Sequence, residues 1–132
     1  MAQKIILEVV TPERKVFSQE IDSLVVPATE GYLGVLSDHA PLVTGIFPGV
    51  LTYKSEGEEK KMAVSGGFLE VADNHAVLLA DTAEKSDEIN LDRAKRAKER
   101  AEKRLVERSE TIDALRAEMA LKRAIARIKT LQ

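Results

Sequence analysis

Hydrophobic and polar positions alternate in short runs along the first two thirds of the chain. Runs of this kind, rich in Val, Ile, Leu and Thr, are typical of half-buried β-strands. They predict strands at 4–10, 23–26, 33–36, 41–46, 50–54, 60–64, 68–71 and 76–80. Turn residues separate the runs, notably Ser55-Glu56-Gly57-Glu58, Ser65-Gly66-Gly67 and Asp73-Asn74. Many short strands at this spacing indicate a β-sandwich or a barrel.

The hydrophobic period changes near Ser86, and from Leu91 onward apolar residues recur every three or four positions. This spacing predicts two helices, with Asn90 as the N-cap of the first and a turn at 108–113. Helices of this length are marginal without a partner, and their largely alanine seam buries little apolar area. Two states therefore stay open: a static hairpin, or an arm that can also extend into a rod of about 60 Å.

Composition supports a division into a β domain at 1–86 and a helical arm at 87–132. All seven Gly, all four Pro and all five aromatic residues lie in the first part. The arm carries 13 basic against 9 acidic residues and the β part 7 against 13, although the net charge is only −2. Opposite net charges favour docking of the arm on the β domain. The alternative is that the basic surface of the helices is simply exposed to solvent.

Composition also excludes several classes of protein. The chain has no cysteine, which excludes a disulfide scaffold and a thiolate zinc site. It begins directly with strand-like residues and has no apolar run of about 20 residues, so we expect neither a signal peptide nor insertion into lipid. No aromatic residue accompanies the basic positions of the arm, which argues against binding of nucleic acid.

The sequence contains no constellation that predicts catalysis or a metal site. His39 and His75 stand in turn-like contexts without a spaced carboxylate or a second His. Ser37-Asp38-His39 resembles a triad only in its letters, because adjacent side chains diverge. Ser65-Gly66-Gly67 precedes a strand instead of a helix and lacks the lysine of a phosphate-binding loop.

Four arginines of the arm raise a sharper possibility. Arg93 and Arg100 are seven residues apart on the first helix, and Arg123 and Arg127 are four apart on the second. If the hairpin closes with these faces inward, four guanidinium groups converge and could bind a polyphosphate. The alternative is that each arginine extends over a solvated helix face.

The chain resembles a known family, the epsilon subunits of bacterial F-type ATP synthases, called delta in mitochondria. Five stretches carry the resemblance in order and at the family's spacing: Val9-Val10-Thr11-Pro12, Glu30-Gly31-Tyr32-Leu33-Gly34-Val35-Leu36, His39-Ala40-Pro41-Leu42-Val43-Thr44, Ser65-Gly66-Gly67-Phe68-Leu69-Glu70-Val71 and Leu79-Ala80-Asp81-Thr82-Ala83-Glu84. The resemblance covers essentially the whole chain.

The resemblance implies a ten-stranded β-sandwich followed by a two-helix hairpin that is able to extend. It implies a non-catalytic central-stalk subunit, peripheral on the cytoplasmic face of the bacterial cell membrane, that couples ring rotation to ATP synthesis. The partners implied are the gamma subunit, the rotor ring of c subunits, and the alpha and beta subunits when the arm extends and restrains ATP hydrolysis. The family's ring-facing loop corresponds to 30–39, with Glu30, Gly31, Tyr32 and His39 as the expected contacts.

Some bacterial members of the family bind regulatory ATP with magnesium on the folded hairpin, although no cofactor is required. The residues that correspond to that site here are Glu84, Ile89, Asn90, Arg93, Ala94, Arg100, Arg123 and Arg127. Asn90 stands where the family's motif has Asp, so we expect ATP binding to be weakened or lost. The alternative function is a nucleotide-sensing module whose helical hairpin switches on ATP.

Overall fold

The computed structural model describes residues 3–107 and 111–132. Ten strands occupy the first part of the chain: β1 (Ile5–Val10), β2 (Lys15–Ile21), β3 (Ser23–Ala28), β4 (Gly31–Val35), β5 (Leu42–Gly45), β6 (Gly49–Ser55), β7 (Glu58–Ser65), β8 (Phe68–Ala72), β9 (His75–Leu79) and β10 (Thr82–Lys85). A 3₁₀ turn at Ser86–Glu88 leads into helix α1 (Leu91–Glu107), and α2 spans Thr111–Thr130. The β-sandwich with two C-terminal helices is confirmed.

The strands form two five-stranded sheets that face each other. Sheet one has the order β2-β1-β9-β8-β5, and sheet two has the order β10-β7-β6-β3-β4. β1 pairs with β9 in parallel, whereas the other paired strands run antiparallel. Alternate residues of each strand point inward, so leucines of both sheets meet in one fully buried core, including Leu7, Leu24, Leu51, Leu69 and Leu78.

Two predicted hairpin turns are confirmed by backbone geometry. Glu56 and Gly57 have φ of 53° and 80° between β6 and β7, and Asp73 and Asn74 have φ of 50° and 59° between β8 and β9. Two successive positive φ values match the twist of the flanking strands. Asn, Asp and Gly adopt this conformation at low cost, which is why the turn letters identified both hairpins.

The hydrophobic pattern missed β2 and β10. β2 carries Val16, Phe17 and Ile21, separated by three polar, exposed residues, so the alternation is broken. β10 has four residues, of which only Ala83 is buried. Both strands lie at the edge of a sheet. Edge strands need less apolar surface than central ones, and their signal is correspondingly weak.

The arm is folded on the sandwich. α1 and α2 pack against each other, and α2 also lies on β6 and β7. The first turn of α1 and the last turn of α2 border the same cleft, so the two helices run antiparallel. The predicted turn begins at 108, and its residues 108–110 lie outside the described part of the chain. Outside 108–113, whose side chains are not described, the side chains that the helices bury are small: Ala94, Ala101, Ala117, Ala124, Ala126 and Thr130.

Candidate functional site

A cleft of about 460 Å³ lies where the arm meets one end of the sandwich. Its walls come from the β1–β2 turn, from β10 and the 3₁₀ turn, and from both helices. Ionisable side chains are unusually dense along it: Glu13, Arg14, Asp81, Glu84, Glu88, Arg93, Arg100 and Arg127 line it. Four arginines therefore face a cleft that also contains four carboxylates.

The local backbone explains how α1 presents its arginines to the cleft. Asn90 accepts a hydrogen bond from the Arg93 main-chain N–H at its Oδ1, over 3.0 Å, which confirms the predicted N-cap. The cap sets the first turn of the helix and places Arg93 at the cleft wall. Arg100 follows two turns later on the same face, because seven residues are close to two helical turns.

An ion pair joins the arm to the sandwich at the cleft floor. Arg127 on α2 donates from Nε to Oε1 of Glu84 on β10 across 2.6 Å. Each side chain is only 30% exposed, so the pair is partly shielded from water. Charge-assisted hydrogen bonds of this kind are stronger than neutral ones.

A second ion pair also lines the cleft, and no pattern in the sequence indicated it. Arg14 donates from Nη2 to Oε2 of Glu88 across 2.6 Å. Glu88 Oε1 also accepts the Lys85 main-chain N–H at 3.0 Å. The hydrogen bond from Lys85 and the nearby Arg14 guanidinium lower the pKa of Glu88, against a smaller rise from burial. The partners are 74 residues apart, so no local signal could have paired them.

The guanidinium groups of Arg93 and Arg100 are available to bind a ligand in the cleft. Within the described part of the chain, neither Arg93 nor Arg100 has a carboxylate within 4.0 Å. Both therefore present free N–H donors and positive charge. Guanidinium groups bind phosphate oxygens in pairs. The arrangement is suited to a multiply charged anion held between α1 and the sandwich.

Seven of the eight predicted nucleotide-site residues line this one cleft, namely Glu84, Ile89, Asn90, Arg93, Ala94, Arg100 and Arg127. Arg123 does not. It borders a small adjoining pocket with Glu84 and Arg127, against β7 and β10. It lies on the same face of α2 as Arg127 but one turn, about 6 Å, earlier along the helix. Three of the four predicted arginines line the cleft. The fourth arginine in its lining is Arg14, which was not predicted.

The segment predicted as a ring-facing loop at 30–39 is only partly a loop. Gly31–Val35 forms β4 at the edge of sheet two. Glu30 and Gly31 are exposed at one end of it, next to Tyr32, whose Oη accepts the Val50 N–H at 3.3 Å. His39 lies beyond the other end of this strand, which is about 16 Å long.

His39 belongs to a cluster of turns instead. Its N–H donates to the carbonyl oxygen of Leu36 at 3.3 Å. The neighbouring Asp38 donates its main-chain N–H to Oδ1 of Asn74 at 2.6 Å, which joins this loop to the β8–β9 turn. The structure therefore separates the four expected contacts into a group of three and His39 alone.

Sheet one bears an apolar outer surface that the strand pattern did not identify. Val43, Phe68 and Leu79 are 67%, 44% and 41% exposed. Phe68 and Leu79 are direct partners in the β8–β9 register, and β5 with Val43 pairs with the other side of β8. Clustered exposed apolar residues on a sheet typically mark an interaction surface.

Across 3–107 and 111–132, no cluster of three His, Asp or Glu side chains is placed to hold a metal ion. Neither helix in those ranges is long and apolar enough to cross a bilayer.

Comparison with known proteins finds two matching family models that follow one another along the chain. The model for the beta-sandwich domain of the ATP synthase delta/epsilon chain matches residues 4–86, and that for its long alpha-helix domain matches 87–132. The ATP synthase epsilon chain of Syntrophomonas wolfei is 58% identical over 124 residues, covering 93% of this chain and 90% of the relative. That of Desulforamulus reducens is 52% identical over 132 residues, which is the full length of both.

Solved structures show the same fold in more distant proteins. A chain in the Euglena gracilis mitochondrial ATP synthase matches with a TM-score of 0.84 and 23% identity, covering 98% of this chain and 82% of that one. A chain in the central stalk and c-ring structure of the Tetrahymena thermophila enzyme matches with a TM-score of 0.67 and 14% identity, covering 99% and 98%.

Proposed function

Since this chain belongs to the ATP synthase delta/epsilon family, we propose that its sandwich couples rotor rotation to ATP synthesis while its arm restrains ATP hydrolysis. The chain is a non-catalytic subunit of the enzyme. The sandwich binds the gamma subunit and the c ring, and the arm reaches the alpha and beta subunits when it extends. The subunit lies peripherally on the cytoplasmic face of the membrane, without entering lipid.

One observation carries the proposed role of the arm: among the arm residues whose burial the structure describes, the buried ones are five alanines and Thr130. Its buried apolar contact with the sandwich is a small cluster of Val50, Ala63 and Ala126, with Ile89 packed beside it. Burying an apolar group stabilises roughly in proportion to its area, so methyl groups hold the arm weakly. An arm held in this way can leave the sandwich without unfolding it.

Locking the arm tests this role directly. The chain contains no cysteine, so Ala63→Cys and Ala126→Cys introduce a single pair that a short thiol crosslinker can join. We expect ATP hydrolysis by the assembled enzyme to rise after crosslinking, because the arm can no longer extend, and to match the enzyme that lacks residues 87–132. Each single variant, treated in the same way, controls for labelling. Unchanged hydrolysis in both the locked and the truncated enzyme would exclude the brake.

The apolar outer surface of sheet one supports a proposal for the gamma contact. Phe68 and Leu79 lie side by side there and expose a large fraction of their surface. Burial of this patch would contribute most of the binding energy of a stable interface. Phe68→Lys should strongly reduce recovery of the chain with gamma, whereas Leu115→Lys, on the exposed side of α2, should not. Equal recovery of both variants would exclude this surface.

The β3–β4 turn is our proposed contact with the ring. Glu30 and Gly31 are exposed there, and His39 lies at the opposite end of β4. A cysteine at position 30 should crosslink to cysteines in the polar loops of the ring, and a cysteine at 39 should not. The reverse result would assign the ring contact to the other end of the sandwich.

Nucleotide sensing is the second candidate function, and the free guanidinium groups of Arg93 and Arg100 favour it. We propose that the cleft binds ATP with magnesium weakly, with phosphates at these arginines and at Arg127. Arg127 already pairs with Glu84 at 2.6 Å, so a phosphate must compete with that carboxylate. Bound ATP would bridge α1 and the sandwich and favour the folded arm.

A further inference from the structure

A second cavity, of about 410 Å³, lies on the other side of α2 from the arginine cleft. We call it the α2 groove. Its sandwich wall is formed mainly by Pro27, Tyr32, Phe47 and Val50, and its helix wall by Ile125, with Lys122 and Lys129 at the rim. Among the described residues that line it, none belongs to α1. The groove therefore joins α2 to sheet two without involving the nucleotide-type cleft.

The sandwich wall of the groove is rigid and apolar. The Phe47 N–H donates to the carbonyl oxygen of Pro27 at 2.8 Å, and the Val50 N–H donates to Tyr32 Oη at 3.3 Å. Packing is tight, since a Cβ on Gly49 would lie 2.6 Å from the Cβ of Pro27. Tyr32 and Phe47 nevertheless expose 63% and 39% of their surface. A preformed apolar wall with exposed rings is typical of small-molecule sites of this size.

The rim of the groove is basic. Lys122 places its Nζ 5.2 Å from the centre of the Phe47 ring. Lys129 follows seven residues later on the same helix face, about 10 Å along the axis. Throughout the described ranges, neither ammonium group has a carboxylate within 4.0 Å. Two such cations above an aromatic floor complement an anion that carries an apolar ring.

We propose that the α2 groove is a binding site for amphipathic carboxylates that carry one aromatic ring or two fused aromatic rings. The ring system packs between Phe47, Tyr32 and Ile125, and the carboxylate accepts hydrogen bonds from Lys129 or Lys122. Such a ligand contacts α2 and the sandwich at once. It therefore binds the folded arm and not the extended one, and mass action then favours the folded state.

Titration of the full chain with 2-naphthoate, followed by amide chemical shifts, tests this site. We expect saturable shifts at 27–32, 47–50 and 122–129, and at least fivefold weaker binding to the Lys122→Gln/Lys129→Gln variant. The matched control is Lys95→Gln/Lys103→Gln, which removes the same charge from the exposed side of α1 and should bind as the native chain does. The uncharged 2-naphthalenemethanol should bind more weakly than the carboxylate.

Three outcomes would overturn the proposal. They are shifts centred on Arg93 and Arg100 instead of the groove, equal weakening by both lysine pairs, and the absence of saturation in the millimolar range. Arg100→Gln separates this site from the cleft, because it should leave naphthoate binding intact. Hydrogen exchange tests the effect on the arm: naphthoate should slow exchange in α2 of the native chain several-fold, and unchanged exchange would refute stabilisation of the folded arm.

Discussion

Arg127 donates from Nε to Oε1 of Glu84 across 2.6 Å, and this single contact joins the last helix of the chain to the last strand of the sandwich. It is the ion pair that, within the described ranges, connects α2 to a strand. Most of the surrounding contact is made by small side chains. The stability of the folded arm is therefore concentrated in a few polar groups, which makes the arm sensitive to charge.

We expect Glu84→Gln to loosen the arm without unfolding the sandwich. The variant keeps an acceptor for Arg127 but loses the charge, and a partly exposed pair of this kind contributes about 1 kcal/mol. That corresponds to roughly fivefold faster hydrogen exchange in α2. A double-mutant cycle with Arg127→Gln should give a coupling energy of about 1 kcal/mol.

Glu99→Gln is the matched control, because it removes one negative charge from the exposed face of α1. It should leave exchange in α2 unchanged. If Glu84→Gln and Glu99→Gln behave alike, or if the cycle gives no coupling, the pair does not hold the arm.

Asn90→Asp should raise the affinity for ATP with magnesium about tenfold, which corresponds to roughly 1.4 kcal/mol. An aspartate can still cap α1 by accepting the Arg93 N–H, as Asn90 does at 3.0 Å. The gain comes from the carboxylate, a stronger acceptor for ligand N–H and O–H groups than an amide oxygen. Calorimetry of both chains measures the difference.

Asn90→Ala provides the comparison, since it removes the cap as well and should fray the first turn of α1. The native chain should bind more weakly than about 10 µM, near −7 kcal/mol. Tighter binding by the native chain, or equal affinity of the native chain and the Asn90→Asp variant, would contradict the view that the asparagine weakens the site.

The parts of the fold that sequence reasoning identified depend on local chemistry. Gly57 indicates a turn because few other residues adopt its φ of 80°. Asn90 indicates the start of a helix because its side chain reaches the free amides of the first turn. β10 was missed because only Ala83 of its four residues is buried. Its place in the sheet is decided by pairing with β7, which no local pattern records.

The same distinction applies to the cleft. Arg93 and Arg100 were predicted to share a face because helical periodicity alone puts them there. Arg14 was not found, since its partner Glu88 is 74 residues away along the chain. Arg123 was wrongly assigned to the cleft, because periodicity gives the face that it shares with Arg127 and not how far along α2 the cleft extends.

Gly67→Ala should destabilise the sandwich by about 3 kcal/mol or more, through a steric clash and an unfavourable backbone conformation. Gly67 has φ of 88°, and a Cβ there would collide with the carbonyl oxygen of Leu79. Gly34→Ala is the control, because a Cβ at that position meets nothing within 4 Å. Urea unfolding of both variants measures the difference, and a similar loss at the two positions would contradict the steric explanation.

Glu88→Gln should make the protein less stable at neutral pH and equally stable in acid. In the folded chain the Lys85 N–H and the Arg14 guanidinium lower the pKa of Glu88 below its ordinary value of 4.5. The ionised side chain therefore stabilises the fold above pH 4.5, and this contribution fades as the pH falls through the lowered pKa. Because both side chains remain in part exposed to water, at 46% and 31%, the loss at pH 7 should stay below about 1 kcal/mol. Urea unfolding at pH 7 and near pH 3 tests both limits, with Glu99→Gln as the control for one lost charge. A stability difference that persists unchanged in acid would mean that Glu88 acts through packing and not through its ionised carboxylate.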